Sequence, residues 1–309
     1  MELIRGWHNL RPRHRGCVAT IGNFDGVHRG HRAVLARLAQ VGQELGLPAT
    51  LLTFEPHPLE FLRPEAAPPR LTSLRNKLMA LRDTGLARVL CLRFDRAFAA
   101  LEPEEFVQRL LVERLGVRFL LVGDDFRFGR GRRGDFAMLQ EAGKANGFAV
   151  EQMGTVLVDG ERVSSTRVRQ ALLRGDLEQA ERLLGRPYSI CGRVIRGDRI
   201  GRTLGFPTAN ISLERTRPAL LGIFVVQVRD GDQLRPGVAS VGTRPSVGGT
   251  RLLLEVHLLD FHGDLYGRHL QVEFLKRLRG EEYFDSLEAL TAQIARDADA
   301  ARDYFAALR

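Results

Sequence analysis

The feature that most constrains this chain is a change of hydrophobic period near residue 185. Before it, short apolar runs alternate with longer stretches whose apolar residues recur at helical spacing. The runs are 17–22 (CVATIG), 49–54 (ATLLTF), 88–94 (RVLCLRF), 118–123 (RFLLVG) and 148–153 (FAVEQM). Helices are predicted at 31–45, 73–82, 103–115 and 134–146; in the first, Val34, Leu35, Leu38, Val41 and Leu45 share a face. Two more, 165–174 and 176–184, close this half. Apolar strands alternating with helices imply a parallel sheet covered on both faces. Such sheets bind ligands beyond the carboxyl ends of their strands.

Past the joint Gly185-Arg186-Pro187-Tyr188 the pattern changes. Short strands at 189–195, 222–229, 236–242, 251–259 and 268–276 are punctuated by Gly and Pro, which predicts a small antiparallel β domain, a barrel. A helix at 285–304 follows. The fold class is α/β plus β, and 309 residues suffice for two domains, 1–185 and 186–309.

Composition narrows the function classes. The net charge of +9, carried almost wholly by arginine with lysine only at Lys77, Lys144 and Lys276, suits anionic partners. Aromatic residues are 7% and do not cluster with arginine as a stacking platform requires, which argues against nucleic acid. No apolar run approaches a membrane span, and the N-terminal stretch lacks a secretory pattern. Cys17, Cys91 and Cys191 are far apart and match no metal-ligand spacing. A cytoplasmic protein with reduced thiols is expected.

The strongest local signal is Gly22-Asn23-Phe24-Asp25-Gly26-Val27-His28-Arg29-Gly30-His31, between the first strand and first helix. A helix start offers free N–H groups and a positive dipole end to phosphate. Gly30 lets a phosphate approach the backbone. His28 and His31, three apart, face one ligand from a first helical turn and can stabilise phosphoryl charge. Spacing alone suits metal binding or surface histidines equally well. Three further stretches stand at strand ends or a helix start: Thr53-Phe54-Glu55-Pro56-His57-Pro58, Gly123-Asp124-Asp125-Phe126-Arg127-Phe128-Gly129, and Val163-Ser164-Ser165-Thr166-Arg167-Val168-Arg169. Ser164 or Ser165 is equally an ordinary N-cap, Asp125 a turn-capping carboxylate and His57 a rigid-turn residue.

Together these stretches resemble the FMN adenylyltransferase module of bacterial FAD synthetases, within the H-x-G-H nucleotidyltransferases. The resemblance implies a Rossmann-like domain with His28 and His31 catalytic. It also implies ATP contacts from Gly22, Asn23, Phe24, Gly30, Ser164, Ser165, Thr166 and Arg167, and flavin contacts from Pro56, His57, Pro58, Asp125 and Phe126. Gly129-Arg130-Gly131-Arg132-Arg133-Gly134 spells a dinucleotide fingerprint but starts too far past its strand; a mobile basic loop over the flavin phosphate is the better functional reading, with a plain surface loop as the alternative.

In the second half, Gly192-Arg193-Val194-Ile195-Arg196-Gly197-Asp198-Arg199-Ile200-Gly201-Arg202 runs into Thr203-Leu204-Gly205-Phe206-Pro207-Thr208-Ala209-Asn210-Ile211. Its glycines can wrap phosphates, without the Lys of a Walker A loop. Thr208 and Asn210 offer neutral oxygens of the kind Mg²⁺ takes alongside nucleotide and water. The segment resembles the riboflavin kinase signature G-R-x-L-G-F-P-T-A-N, and 222–225, 242–246, 254–261 and 265–267 agree. The resemblance implies a six-stranded barrel using Mg-ATP, with Glu255 as catalytic base and Thr208 and Asn210 on the metal. It implies ATP contacts from Gly192, Gly197, Gly201, Gly205 and Pro207, and flavin closure by Arg277, Arg279 and Glu281. Ser246 and Ser240 stand where the family often has threonine and asparagine. The expected partners are small molecules: riboflavin, FMN, FAD and ATP, with no nucleic acid and no membrane. The alternatives are a single-activity enzyme with one decayed module and a nucleic-acid-binding protein.

Overall fold

The computed structural model describes residues 1–197, 201, 204–213, 218–246 and 249–308. Residues Asp198, Arg199, Ile200, Arg202 and Thr203 of the glycine-rich stretch lie outside them. The chain divides into two compact units, one of Met1–Pro68 with Lys77–Val163, the other of Pro69–Asn76 with Ser164–Arg309.

The first unit is built on six parallel strands: β1 (Glu2–Arg5), β2 (Cys17–Ile21), β3 (Ala49–Glu55), β4 (Arg88–Arg93), β5 (Val117–Gly123) and β6 (Ala149–Met153), in the order β1-β4-β3-β2-β5-β6. Successive residues feed opposite cores, because side chains alternate across a strand. Val18, Leu51 and Leu121 pack with Leu35 and Leu38 of the Arg29–Leu45 helix on one face. Ala19, Leu52 and Leu120 pack with Leu110 and Leu111 on the other. The four internal strands are therefore largely apolar, as read from sequence, while β6 at the far edge carries Glu151 and Gln152 and is half-exposed. The edge strand β1 was not legible: Glu2 and Arg5 bracket only two apolar residues. Strand order reverses at β2, which lies between β3 and β5, so a crevice opens past the carboxyl ends of β2 and β5.

The second unit is a closed barrel of β9 (Tyr188–Ile195), β10 (Ala209–Ser212), β11 (Gly222–Asp230), β12 (Gln233–Ser246), β13 (Gly249–Leu258) and β14 (His269–Arg279), in the order β10-β13-β12-β11-β14-β9; a two-stranded ribbon in the first unit, Leu157–Val158 with Glu161–Arg162, supplies β7 and β8. Phe224, Val226, Val241, Leu254, Val256, Val272 and Phe274 are buried at alternate positions and fill the interior. The closing strand β10 lies in the Pro-Thr-Ala-Asn stretch, too short to show a period of two. Helices Ser165–Arg174 and Leu177–Leu184 belong to this unit, and the latter packs on β9 and β14. A C-terminal helix, Leu287–Ala306, lays Ala298 and Ala301 against Val225 and Leu259 on the barrel's outer surface. Asp297 of that helix, buried, accepts a bidentate pair from Arg279 (2.8 Å at its shortest). No helix among the described residues is long and apolar enough to cross a membrane.

Candidate active sites

In the first unit, β2 runs into a turn that would be costly to form by chance. Phe24 and Val27 hold left-handed backbone (φ 47° and 44°), as does Gly26 (φ 85°), and such angles in non-glycine residues persist only where the surroundings demand them. The Phe24 ring stands 3.0 Å from where a Cβ on Gly22 would sit, so Gly22 is needed for that ring's position. The turn ends at His28, which caps the Arg29–Leu45 helix: its Nδ1 accepts from the backbone N–H of His31 at 3.3 Å. The two imidazoles stack, centroids 3.6 Å apart and 15° from parallel, and Phe24 also stacks on His31 at 4.5 Å. Gly30 fits beneath this stack, since a Cβ there would lie 3.2 Å from the His28 ring and 3.6 Å from the Val163 carbonyl.

Burial, reinforced by His28 and then Lys77, pushes the His31 imidazole well below its ordinary value of 6.5. It is therefore neutral at neutral pH. Its Nδ1 and the Asn23 Oδ1 are buried without a hydrogen-bond partner. Buried orphans of this kind call for explanation. Both follow directly on β2, at the strand-order switch.

Sequence reasoning missed a third member of this group. Lys77 is 2% exposed, and its ammonium donates to Thr53 Oγ1 at 3.3 Å; Thr53 in turn donates to the Asn23 carbonyl at 3.2 Å. The available signal was composition: a lysine in a chain whose cations are almost all arginine.

The other predicted residues of this half are held as follows. His57 is buried and caps the Pro58–Leu62 helix, its Nδ1 accepting from Leu59 N while Glu60 accepts from His57 N; Pro56 and Pro58 flank it. Asp125 is exposed and pairs with Arg162 at 3.1 Å, beside Asp124 at 2.7 Å. Phe126 stacks on Phe128. The Gly129–Gly134 stretch closes on itself: Phe128 and Gly134 exchange backbone hydrogen bonds, and Arg130 and Arg133 pair with Glu102. It has no dinucleotide-binding geometry. In the second unit, Ser164 is the N-cap of its helix, accepting from Arg167 N at 3.3 Å, and Ser165, Thr166 and Arg167 form the first turn.

On the barrel, register assembles the second group. Asn210 faces Glu255, and Glu255 faces Ser240. Their neighbours Ile211, Leu254, Val256 and Ala239 point inward and are fully or nearly fully buried, so the polar row lies on the outer surface. His257, next on that face, contacts the Pro207 carbonyl through Nδ1 at 2.9 Å and the Phe206 ring edge-on. Two glycines are shaped to this row. A Cβ on Gly197 would lie 2.5 Å from Asn210 Nδ2, and one on Gly201 would lie 2.5 Å from the Phe206 carbonyl and 3.3 Å from Thr208 Oγ1. Gly192 abuts Ile211 in the same way, and Gly205 holds left-handed backbone.

Arg277, Arg279 and Glu281 follow one another along the end of β14 and beyond. Arg277 donates to the Arg174 carbonyl at 3.2 Å, and its stem fills the space a Cβ on Gly175 would need. Arg279 is committed to Asp297. The Glu281 carboxylate lies directly over Gly242, where any side chain would collide with it. No cluster of three or more acidic, histidine or cysteine side chains suited to a metal occurs among the described residues.

Comparison with known proteins agrees with this two-part geometry. Residues 10–167 match the family described as FAD synthetase, and residues 184–305 match riboflavin kinase. The chain is 54% identical over 307 residues to a bifunctional riboflavin kinase/FMN adenylyltransferase of Escherichia coli K12, covering 99% of this chain and 98% of that one. It is 55% identical over 303 residues to the protein of the same description from Pseudomonas fluorescens, covering 98% and 97%. A solved structure titled as a macrolide-efflux protein from Streptococcus pneumoniae superposes with a TM-score of 0.81 at 28% identity, covering 98% and 99%.

Proposed function

The chain belongs to the family of bifunctional riboflavin kinase/FMN adenylyltransferases, and from that premise we propose how its residues divide the two reactions. It is a transferase with both activities: the N-terminal FAD synthetase part converts FMN to FAD, and the C-terminal flavokinase part converts riboflavin to FMN. We divide the functions at 1–185 and 186–309.

In adenylylation, an FMN phosphate oxygen attacks the α-phosphorus of ATP and pyrophosphate leaves. The nucleophile is already anionic, so the site has to position and neutralise charge rather than remove a proton. His28 and His31 take the phosphates, with the turn Gly22–Phe24 and Gly30 giving backbone access. Ser164, Ser165, Thr166 and Arg167 serve the departing pyrophosphate from their helix start, where N–H groups and a guanidinium suit it. The observation that carries this reading is the stacked imidazole pair at a helix N-terminus beside the strand-order switch. The flavin falls to Pro56, His57, Pro58, Asp125 and Phe126.

In phosphorylation, the ribityl hydroxyl of riboflavin must lose its proton, and Glu255 is the base. Gly192, Gly197, Gly201, Gly205 and Pro207 shape the backbone to ATP. Thr208 and Asn210 fit magnesium: they are neutral oxygen donors, Gly197 leaves Asn210 its space, and a hard cation that keeps waters and nucleotide oxygens needs few protein ligands. When bound there, the ion would neutralise phosphate charge. Asn210, Glu255 and Ser240 lie in one row, so an ion held by Asn210 would neutralise phosphate charge next to the base. Arg277, Arg279 and Glu281 act on the flavin by holding the segment after β14: the two arginines are engaged within the unit, and the Glu281 carboxylate lies over Gly242.

The thiols are free and the chain is proposed to work in the cytoplasm on small molecules alone. Crystals soaked with a non-hydrolysable ATP analogue and magnesium should show density beside His28 and His31 and again beside Thr208 and Asn210. Density at neither place would overturn both assignments.

A further inference from the structure

We propose that Lys77 is a positioning residue for adenylylation: through Thr53 it fixes the Asn23 turn, and it sets a positive charge next to the imidazole pair. The inference rests on the assignment of His28 and His31 to the ATP phosphates.

Burying an ammonium is costly unless it is hydrogen-bonded and put to use. Lys77 is almost fully buried in the Leu74–Ala80 helix and reaches β3, where Thr53 (0% exposed) relays its donor to the Asn23 carbonyl. That carbonyl belongs to the turn that sets Phe24 against His31. A shift of Asn23 therefore moves the ring on which the second imidazole stacks. The chain of contacts runs from Lys77 to the reacting site without leaving the first unit.

The charge has a separate use. His31 is faced by His28 from its own helix turn and by Lys77 from the Leu74–Ala80 helix, while buried Asp25 shares the preceding turn. Its Nδ1 has no acceptor, so a second proton on the ring would have no partner. Lys77 opposes that proton and itself carries the positive charge that a pentavalent phosphoryl group attracts. The site can then be cationic at neutral pH without a charged imidazole.

The test is to measure FAD formation from supplied FMN across pH 5.5–8.5 for Lys77→Met, Lys77→Arg and Thr53→Val, with riboflavin phosphorylation as an internal check on folding. Lys77→Met is expected to lower kcat on the order of 10²-fold, with a smaller change in KM, and to move the acid limb to higher pH. Lys77→Arg should restore the acid limb. Thr53→Val should lower kcat while leaving the limb where it was. The His31 ring proton titration, followed by NMR in the substrate-free protein, should rise in Lys77→Met. A His31 titration and acid limb unchanged in Lys77→Met, or full kcat in both Lys77→Met and Thr53→Val, would overturn the inference. If Lys77→Met unfolds, an unshifted kcat in folded Thr53→Val would do so alone. The underlying site assignment fails differently: His31→Ala would then leave FAD formation intact.

Discussion

The two groups of residues proposed to hold ATP against a flavin are built with opposite local geometry. In the first, the histidines proposed to meet the ATP phosphates come from one turn of ten residues, Gly22 to His31, with left-handed backbone at Phe24, Gly26 and Val27 and a histidine as the cap of its helix. In the barrel, Asn210, Glu255 and Ser240 come from three strands and meet only through antiparallel register. A turn of the first kind is set by local sterics and is sensitive to the backbone of each residue. A row of the second kind is set by closure of the whole barrel: its strand positions tolerate local change as long as register holds, but the glycines packed against it leave no room for a side chain.

The sharpest way to break this comparison is to remove one chemical group from each unit. Glu255→Ala should lower riboflavin phosphorylation by about 10²–10⁴-fold, the worth of a positioned base, while FAD still forms from supplied FMN. His28→Ala should lower FAD formation by about 10²–10³-fold while FMN accumulates, read by chromatography of the products. Equal damage to both steps by either substitution would mean that the sites are not separate.

The next effect is on stability and should fall on the barrel alone. Arg279→Met leaves Asp297, nearly fully buried, without its cation, and breaking such a pair costs about 3–5 kcal/mol. Calorimetry should show the second unit's transition moving down while the first stays in place. A matched Arg279→Met/Asp297→Leu variant should recover much of the loss, because apolar replacement of both partners removes the unpaired charge.

How much was legible follows from the same contrast. The apolar runs, their helices and the Gly22–His31 turn were readable because each is local: period, glycine position and helix start all lie within one window. The polar row on the barrel was reachable through resemblance alone, because nothing local in Glu255 distinguishes it from an exposed strand carboxylate. Strand β10 was missed for the same reason: four residues do not show a period, and closure of the barrel makes them a strand. Lys77 was missed because burial of an ammonium is a tertiary fact. Resemblance implied that Arg277 and Arg279 close over flavin, and the structure engages each with its own unit.

Glycine substitutions sharpen the comparison further. Gly197→Ala would place a Cβ 2.5 Å from a short, buried amide with nowhere to go, and 2.7 Å from its Cγ. Kinase activity should fall on the order of 10²-fold, since displacement of about 1 Å near a reacting group costs that much. Gly30→Ala asks only a few tenths of an ångström of the His28 ring, so FAD formation should fall by less than Gly197→Ala lowers FMN formation. The reverse ranking would mean that the helix-start turn is the stiffer of the two sites.

The smallest expected effect is acid sensitivity, and it should belong to the first unit. His31 titrates well below 6.5 in the folded state and near 6.5 once unfolded. Between those values the unfolded chain binds more protons, so stability from this group is intact above about pH 6.5 and declines as pH falls below it, by at most about 1.4 kcal/mol per pH unit. His31 lies in the first unit. Calorimetry between pH 7.5 and 5.5 should therefore lower the first transition more than the second, and His31→Gln should flatten that difference. A slope untouched by His31→Gln would assign the sensitivity to another group and would leave the neutral imidazole without thermodynamic support.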